Sequence, residues 1–526
     1  MHNIEIIIGL LLLVATLAVV AQRLAIPYPI LLVIGGLFLG FVPGLPKVEL
    51  DPEIVFVLFL PPLLTSAAWY TSWRDFRFNL RPILLLAIGL VLVTTSAVAV
   101  VAHTMVDGLT WATGFVLGAI VSPPDAVAAT AITQRLSVPR RVVTVLEGES
   151  LINDATGLVA YRFAVAAVVT GMFSLWEASL GFFIVGIGGV IIGLAMGWLV
   201  VWVHRHLDDS LVEITTTILM SFVTYLLAEH LGVSGVLAVV TIGLYHHRYS
   251  AEVLSPTTRI QTIAVWEIIV FLLNGLIFIL IGLQLSSILE EISEYSATTL
   301  AWYAFLVSAV TIGVRVLWVF AAAYIPRLVS RQLRERDPVP PWQTLLLIGW
   351  TGMRGVVSLA AALALPLTTN NGTPFPKRDL ILFLTFCVIL VTLVLQGLTL
   401  PLLLRWLKVV DDDGSEREEM EARLRAAQAA MARLEEITTQ DSVVAEEMVE
   451  WIRTQYKDRV RRLSACCVAM DAGSYEQLAA FRYLQHEVVA TERRTVIRLR
   501  NQGIINDEVL HRIERDLDLE EARLGG

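Results

Sequence analysis

The polar side chains Glu147, Glu149, Asn153, Asp154 and Arg162 all fall within EGESLINDATGLVAYRF, residues 147–163, in a stretch that otherwise reads as a hydrophobic span. A charge at the centre of a membrane helix costs about 2.5–3.5 kcal/mol on insertion scales, so charges kept there point to ion or proton chemistry. On a helix Glu149 and Asn153 share one face, while Glu147, Ser150 and Asp154, at offsets of three and four, share the adjacent one. A carboxylate, a hydroxyl and an amide at one level make a hard-oxygen site for a cation such as sodium, or for a proton. No Cys or His accompanies them to suit a transition metal. Glu147 follows the basic Arg141 by only six residues, which places it in an inner vestibule.

Two further clusters lie in apolar runs. GFVLGAIVSPPDAVAATAI carries Pro123, Pro124 and Asp125 at mid-run. Neither proline donates a helical hydrogen bond, so the carbonyls of Ala119 and Ile120 lose their partners and the helix is expected to break. Broken backbone at membrane depth is tolerated only in a protein interior or a watery cavity, where its free carbonyls can ligate a cation. A plain proline kink with Asp125 capping the second half-helix is the alternative. GWTGMRGVVSLAAALALP, residues 349–366, surrounds Arg354 with Gly349, Gly352 and Gly355, and Arg315 is another deep cation. Arg162 has no evident partner in sequence, and snorkelling or pairing within a bundle would accommodate it.

The elements that position these groups follow from composition. The 526 residues are 56% hydrophobic and 17% charged, with mean hydropathy +0.70, far more apolar than a soluble core requires. Apolar runs of roughly 17–25 residues fall at about 4–22, 27–43, 53–71, 82–103, 110–134, 142–170, 178–203, 211–230, 232–247, 260–285, 297–325, 342–366 and 379–407. The first run lacks the basic leader of a signal peptide, with Glu5 before it and Arg23 after it. With thirteen spans and an outside N-terminus, sixteen Lys and Arg fall in inside segments. Lys47, Lys377 and Arg378 fall outside, so the positive-inside rule puts the C-terminus in the cytoplasm. The fifth and twelfth runs are seven apart, the offset expected if spans one to six and eight to thirteen are inverted repeats, each with one interrupted helix.

Residues 1–408 thus read as a transmembrane domain and 409–526 as an acidic cytoplasmic helical domain. From residue 411 onward the chain carries 17 Lys and Arg against 25 Asp and Glu, a net of −8 within the total of −9. Met420, Leu424, Ala427, Met431, Leu434 and Ile437 recur at spacings of four and three, giving an amphipathic helix with a heptad-like seam. Self-packing, a dimer contact or a regulatory module would each use such a seam. Cys387, Cys466 and Cys467 form neither a disulfide framework nor a metal pattern. His204, His206, His246 and His247, at predicted cytoplasmic helix ends, are either loop residues or pH sensors.

SPPDAVA, EGESLINDATG and GMRGVVSLA, in this order and at these separations, resemble the monovalent cation/proton antiporter-1 family, most closely its bacterial sodium/proton exchanger branch. The resemblance covers about residues 1–408. It implies an all-α polytopic membrane protein of about thirteen helices in inverted repeats. Such a fold has a core domain with two crossing discontinuous helices, and a dimerisation domain that makes a homodimer. It further implies that Asp154 carries the proton with Asn153 as partner. Ser150, Asp125 and the Pro124 backbone oxygen would complete the cation site, and Glu149 would pair with Arg315 or Arg354, Arg315 being favoured. Two departures stand out. Relatives often have Thr-Asp-Pro where this chain has Pro124, Asp125 and Ala126, and a Phe-Glu-Ala acid where it has Ser66, so one carboxylate fewer is expected here.

Burial disfavours the charged form of Asp154 and a bound cation favours it, so proton and sodium exclude one another at one carboxylate. Alternating access converts that competition into exchange. Asn153 in place of a second aspartate leaves one titrating carrier and implies electroneutral exchange serving pH homeostasis. The expected partners are alkali cations (sodium, lithium or potassium), protons and the lipid bilayer, with neither cofactor nor nucleic acid. The alternatives are a potassium/proton or electrogenic antiporter, a passive cation channel, and an intramembrane protease using Asp125 and Asp154. A receptor with a tail effector has no recognisable effector in the sequence.

Overall fold

A computed structural model describes all residues except 1, 25, 43–51, 126–137, 173, 293–294, 371, 409–413, 441–445, 472–474, 503, 505–506 and 525–526. Ala126, Lys47, Arg135 and the second half of the fifth apolar run therefore lie outside the described residues. The helices in chain order are α1 (His2–Leu24), α2 (Tyr28–Gly40), α3 (Pro52–Tyr70), α4 (Leu80–Met105) and α5 (Trp111–Val121). Five long ones follow: α6 (Arg140–Thr170), α7 (Leu175–His204), α8 (Ser210–His230), α9 (Gly235–Val253) and α10 (Pro256–Glu291). Then come α11 (Ala297–Val329), α12 (Trp342–Trp350), α13 (Val356–Leu363) and α14 (Arg378–Leu407). Among the described residues nine helices are long and apolar enough to cross a membrane, while α2 and α5 are shorter apolar helices. Large apolar side chains such as Leu12, Ile184, Trp198, Phe305, Leu317 and Leu402 are exposed on this unit, as lipid contact requires.

Helix starts are set by capping chemistry. Ser174, Asp209, Ser234, Ser255 and Ser296 precede α7 to α11, and each side-chain oxygen accepts a backbone N–H of the first turn. Such caps satisfy donors that the helix itself cannot. Gly171, at φ 72°, ends α6 in the left-handed conformation that glycine adopts without strain.

Two sets of helices pack mainly among themselves. α10 lies along α2, α7 along α9, and α9 along α3, forming one bundle with α1 and α8. α4, α5, α6 and α11 to α14 form the other. The α2–α10 crossing is backbone against backbone: a Cβ on Gly36 would meet the Ile279 carbonyl oxygen at 2.2 Å, and one on Gly282 the Val33 oxygen at 2.2 Å. The chain divides into compact units at Met1–Asp411 and Asp412–Gly526. The second unit contains α15 (Gly414–Gln440), α16 (Glu446–Asp471), α17 (Tyr475–Asn501) and α18 (Asp507–Leu524), with α15 against α16 and α17 against α18.

Candidate cation site

In the second bundle the irregular segment after α5 meets the gap between α12 and α13. α5 stops at Val121, and Ser122 to Asp125 are irregular. α12 and α13 are separated by the irregular Thr351 to Gly355. The Asp125 N–H donates to the Met353 carbonyl at 2.6 Å, and Arg354 Nε donates to the Val121 carbonyl at 3.0 Å. Ser122 Oγ donates to the Ala119 carbonyl at 3.1 Å, occupying one of the acceptors that the prolines leave open. A π-helical turn at Thr392–Gln396 in α14 brings Thr392 Oγ1 to within 3.0 Å of the Arg354 N–H. Buried backbone groups at a break must find partners, and these contacts supply several of them.

α6 runs past the crossing and presents two faces to it. On the inner face Glu149 accepts from Arg315 Nη1 at 2.5 Å and Nη2 at 2.9 Å. The pair's side chains are 2% and 0% exposed, and Arg315 Nη2 also donates to the Thr351 carbonyl at 3.2 Å. Bidentate hydrogen bonding of this kind offsets much of the desolvation of a buried ion pair, while Arg315 Nε has no hydrogen-bond partner among the described residues. Of the two arginines that the sequence leaves open, Arg315 takes the carboxylate, and Arg354 bonds the carbonyls of Val121 and Gly352. Asn153 Nδ2 donates to the Pro124 carbonyl at 2.7 Å, so that oxygen already accepts an amide hydrogen bond.

The other face of α6 opens on a cavity of about 520 Å³, where Glu147, Ser150 and Asp154 line one wall together with Asp125. Asn153, Glu149, Arg315, Arg354 and Pro124 are not among its lining residues. They hold the crossing behind it. Ser66 lines the cavity from α3. Five polar groups that sequence reasoning passed over also line it: Tyr28 on α2, Tyr70 at the end of α3, Glu267 and Asn274 on α10, and Ser358 on α13. The available signal was a single acid and a single asparagine in the apolar run 260–285.

The pairing expected for Arg162 is found, and the reading of the histidines as loop residues is corrected. Arg162 is paired: its Nη2 lies 2.5 Å from Glu229 Oε2 on α8, and Glu229 Oε1 accepts from the Gly235 N–H at 3.2 Å. The carboxylate is 67 residues away in sequence, beyond the reach of spacing rules. His204 and His246 are not loop residues, being 1% and 4% exposed, with Nδ1 of the first 2.9 Å from Nε2 of the second. Both lie on neighbouring helices, α7 and α9, whose packing fixes the contact.

A family model described as "Sodium/hydrogen exchanger, transmembrane" matches residues 9–406. An uncharacterized Na(+)/H(+) exchanger of Mycobacterium tuberculosis is 37% identical, covering 98% of this chain and 96% of its own length. A sodium, potassium, lithium and rubidium/H(+) antiporter of Bacillus pumilus is 37% identical over 76% of this chain and 61% of its own. The sodium proton antiporter MjNhaP1 of Methanocaldococcus jannaschii, 21% identical, superimposes with a TM-score of 0.60 over 77% of this chain and 98% of its own. That likeness is one of fold. With the end of α5 meeting the gap between α12 and α13 beside a carboxylate-lined cavity, the chain belongs to the sodium/hydrogen exchanger family.

Proposed function

We propose that this protein exchanges sodium or another alkali cation for protons across a membrane by competition of the two ions at Asp154. The observation that carries this reading is that Asp154, Asp125 and Ser150 line one cavity, where the segment after α5 meets the gap between α12 and α13. Asp154 is the carrier; Asp125 and Ser150 supply further oxygens. Asn153 positions the irregular segment after α5 through its hydrogen bond to the Pro124 carbonyl. Glu149 and Arg315 act as a neutral scaffold, with Arg354 bracing the crossing, and Glu147 guards the vestibule.

Exchange is electroneutral in this reading, because Asn153 leaves one titrating carrier at the pair and the Glu149 charge is matched by Arg315. The family's thirteen spans, inverted repeats and homodimer come with it, as do an outside N-terminus, a cytoplasmic C-terminus and a bacterial plasma-membrane location. Sodium is the first substrate, and potassium and lithium follow, because Ser66 replaces a carboxylate and the Bacillus pumilus relative is named for four alkali cations.

The test is cation-dependent proton flux in proteoliposomes. Asp154→Asn is expected to abolish it for every alkali cation, with no net charge movement in the parent protein by a potential-sensitive dye. Flux that survives the substitution overturns the carrier assignment. The competition also fixes a sign: raising pH on the loading side lowers the apparent KM for sodium, by up to about tenfold per unit until the carrier is fully deprotonated. An apparent KM independent of pH contradicts one shared carboxylate.

A further inference from the structure

α10 contributes two polar side chains, Glu267 and Asn274, to the lining of the cavity that Asp154 also lines, and neither belongs to the crossing or to the α6 motif. They are seven residues apart, which puts them on one helix face about 10.5 Å apart along the axis, with Phe271 between them on the same wall. Glu267 is exposed to the open part of the cavity, whereas Asn274 is 2% exposed. The Asn274 Oδ1 has no hydrogen-bond partner among the described residues. An amide oxygen buried without a partner is costly, and a desolvated alkali cation reaching it offsets that cost.

The bundle assignment gives this wall a distinct role. α10 is locked to α2 by the glycine crossing at Gly36 and Gly282, while Asp154 and Asp125 belong to the other bundle. A cation between the walls therefore meets oxygens from both bundles, and movement of one bundle against the other separates the two sets. Glu267 also restores, from a different helix, the negative charge missing at Ser66. Glu147 is a further acid on the lining of the same cavity.

Resting on the reading of Asp154 as carrier, we propose that α10 forms the opposing half of the cation path. Glu267 recruits the alkali cation into the cavity, and the Asn274 amide oxygen ligates it on its way to Asp154. The class of ligand is a hard monovalent cation stripped of part of its water.

The test uses the full-length protein in proteoliposomes with sodium, lithium and potassium as probes. Glu267→Gln is expected to raise KM for all three by about threefold to tenfold at low ionic strength, with kcat within about twofold, and the effect shrinks as choline chloride is added. Asn274→Leu is expected to raise KM and to change the ranking of the three cations. Asn274→Asp, which keeps the side-chain size and serves if the leucine variant fails to fold, is expected to lower KM. A KM within twofold of the parent for every cation in Glu267→Gln and Asn274→Asp overturns the proposal, provided Asp154→Asn is inactive. Flux that persists in Asp154→Asn brings down the carrier reading instead.

Discussion

Asp125 is held from behind by a residue with no side chain. A Cβ built on Gly355 would sit 1.8 Å from Asp125 Oδ2 and 3.0 Å from its Cβ, so any other residue must push the carboxylate out of place or open the crossing. Gly157 does the same for Pro123, whose Cγ would lie 2.9 Å from an added methyl. Misplacing a reacting group by about 1 Å can cost on the order of a hundredfold in rate, and a ligand shell for a small cation is comparably sensitive. Gly355→Ala is therefore expected to cut sodium-driven proton flux by about tenfold or more while Tm in detergent moves little. Parent-level flux in the alanine variant would show that Asp125 is not part of the path. At this scale the sequence was legible where polar residues came in company. Asp154, Asn153, Ser150 and Glu149 announce themselves as a group in an apolar run. Glu267 and Asn274 are equally buried in apolar text, yet each stands alone there, and only the fold brings them to the cavity. The partner of Arg162 was illegible because two helices intervene between α6 and the end of α8.

The helices themselves were readable from apolar run length, as the run 142–170 against Arg140–Thr170 illustrates. The break before Asp125 was readable from two prolines. The break at Thr351–Gly355 contains no proline; glycines and the arginine's hydrogen bonds to carbonyls maintain it. The sorting of helices into two bundles had no local signal, since it depends on which apolar faces meet. It matters for Arg162 and Glu229, which join α6 of one bundle to α8 of the other. Arg162 lies eight residues beyond Asp154, about 12 Å along the helix and away from Glu147, so the ion pair and the cavity mouth occupy opposite ends of α6. The side chains are 47% and 29% exposed, and a pair so hydrated contributes no more than about 1 kcal/mol. Bundle movement that separates them should respond on that scale. Arg162→Gln is expected to change the exchange rate by about fivefold with KM for sodium little altered. The double variant Arg162→Glu with Glu229→Arg should return the rate to near the parent value. Equal rates in the parent and the single variant would mean that the pair does not part during transport.

The two compact units are built on different physics. The membrane unit is nearly neutral and buries its polar groups around one crossing, whereas the segment from residue 411 carries a net charge of −8 and has helices of alternating charge. Within that segment Ala427, Val489, Leu510 and Leu517 are buried, and ion pairs such as Arg493 with Glu521 at 2.8 Å join α17 to α18. Among the described residues those that line the cavity lie at or before Ser358, and α14, the last helix of the membrane unit, ends at Leu407. A unit with its own core and no share in the lining can be removed without taking ligands away. Truncation after Asp411 is therefore expected to leave a protein that inserts, reconstitutes and exchanges sodium for protons with KM unchanged and a rate within about threefold of the parent. Flux measured beside the full chain at matched protein density decides the matter. Lost flux in a truncated protein that still elutes as a single species would assign the acidic helices a part in the transport cycle itself. A shifted pH dependence at an unchanged maximal rate would assign them its regulation.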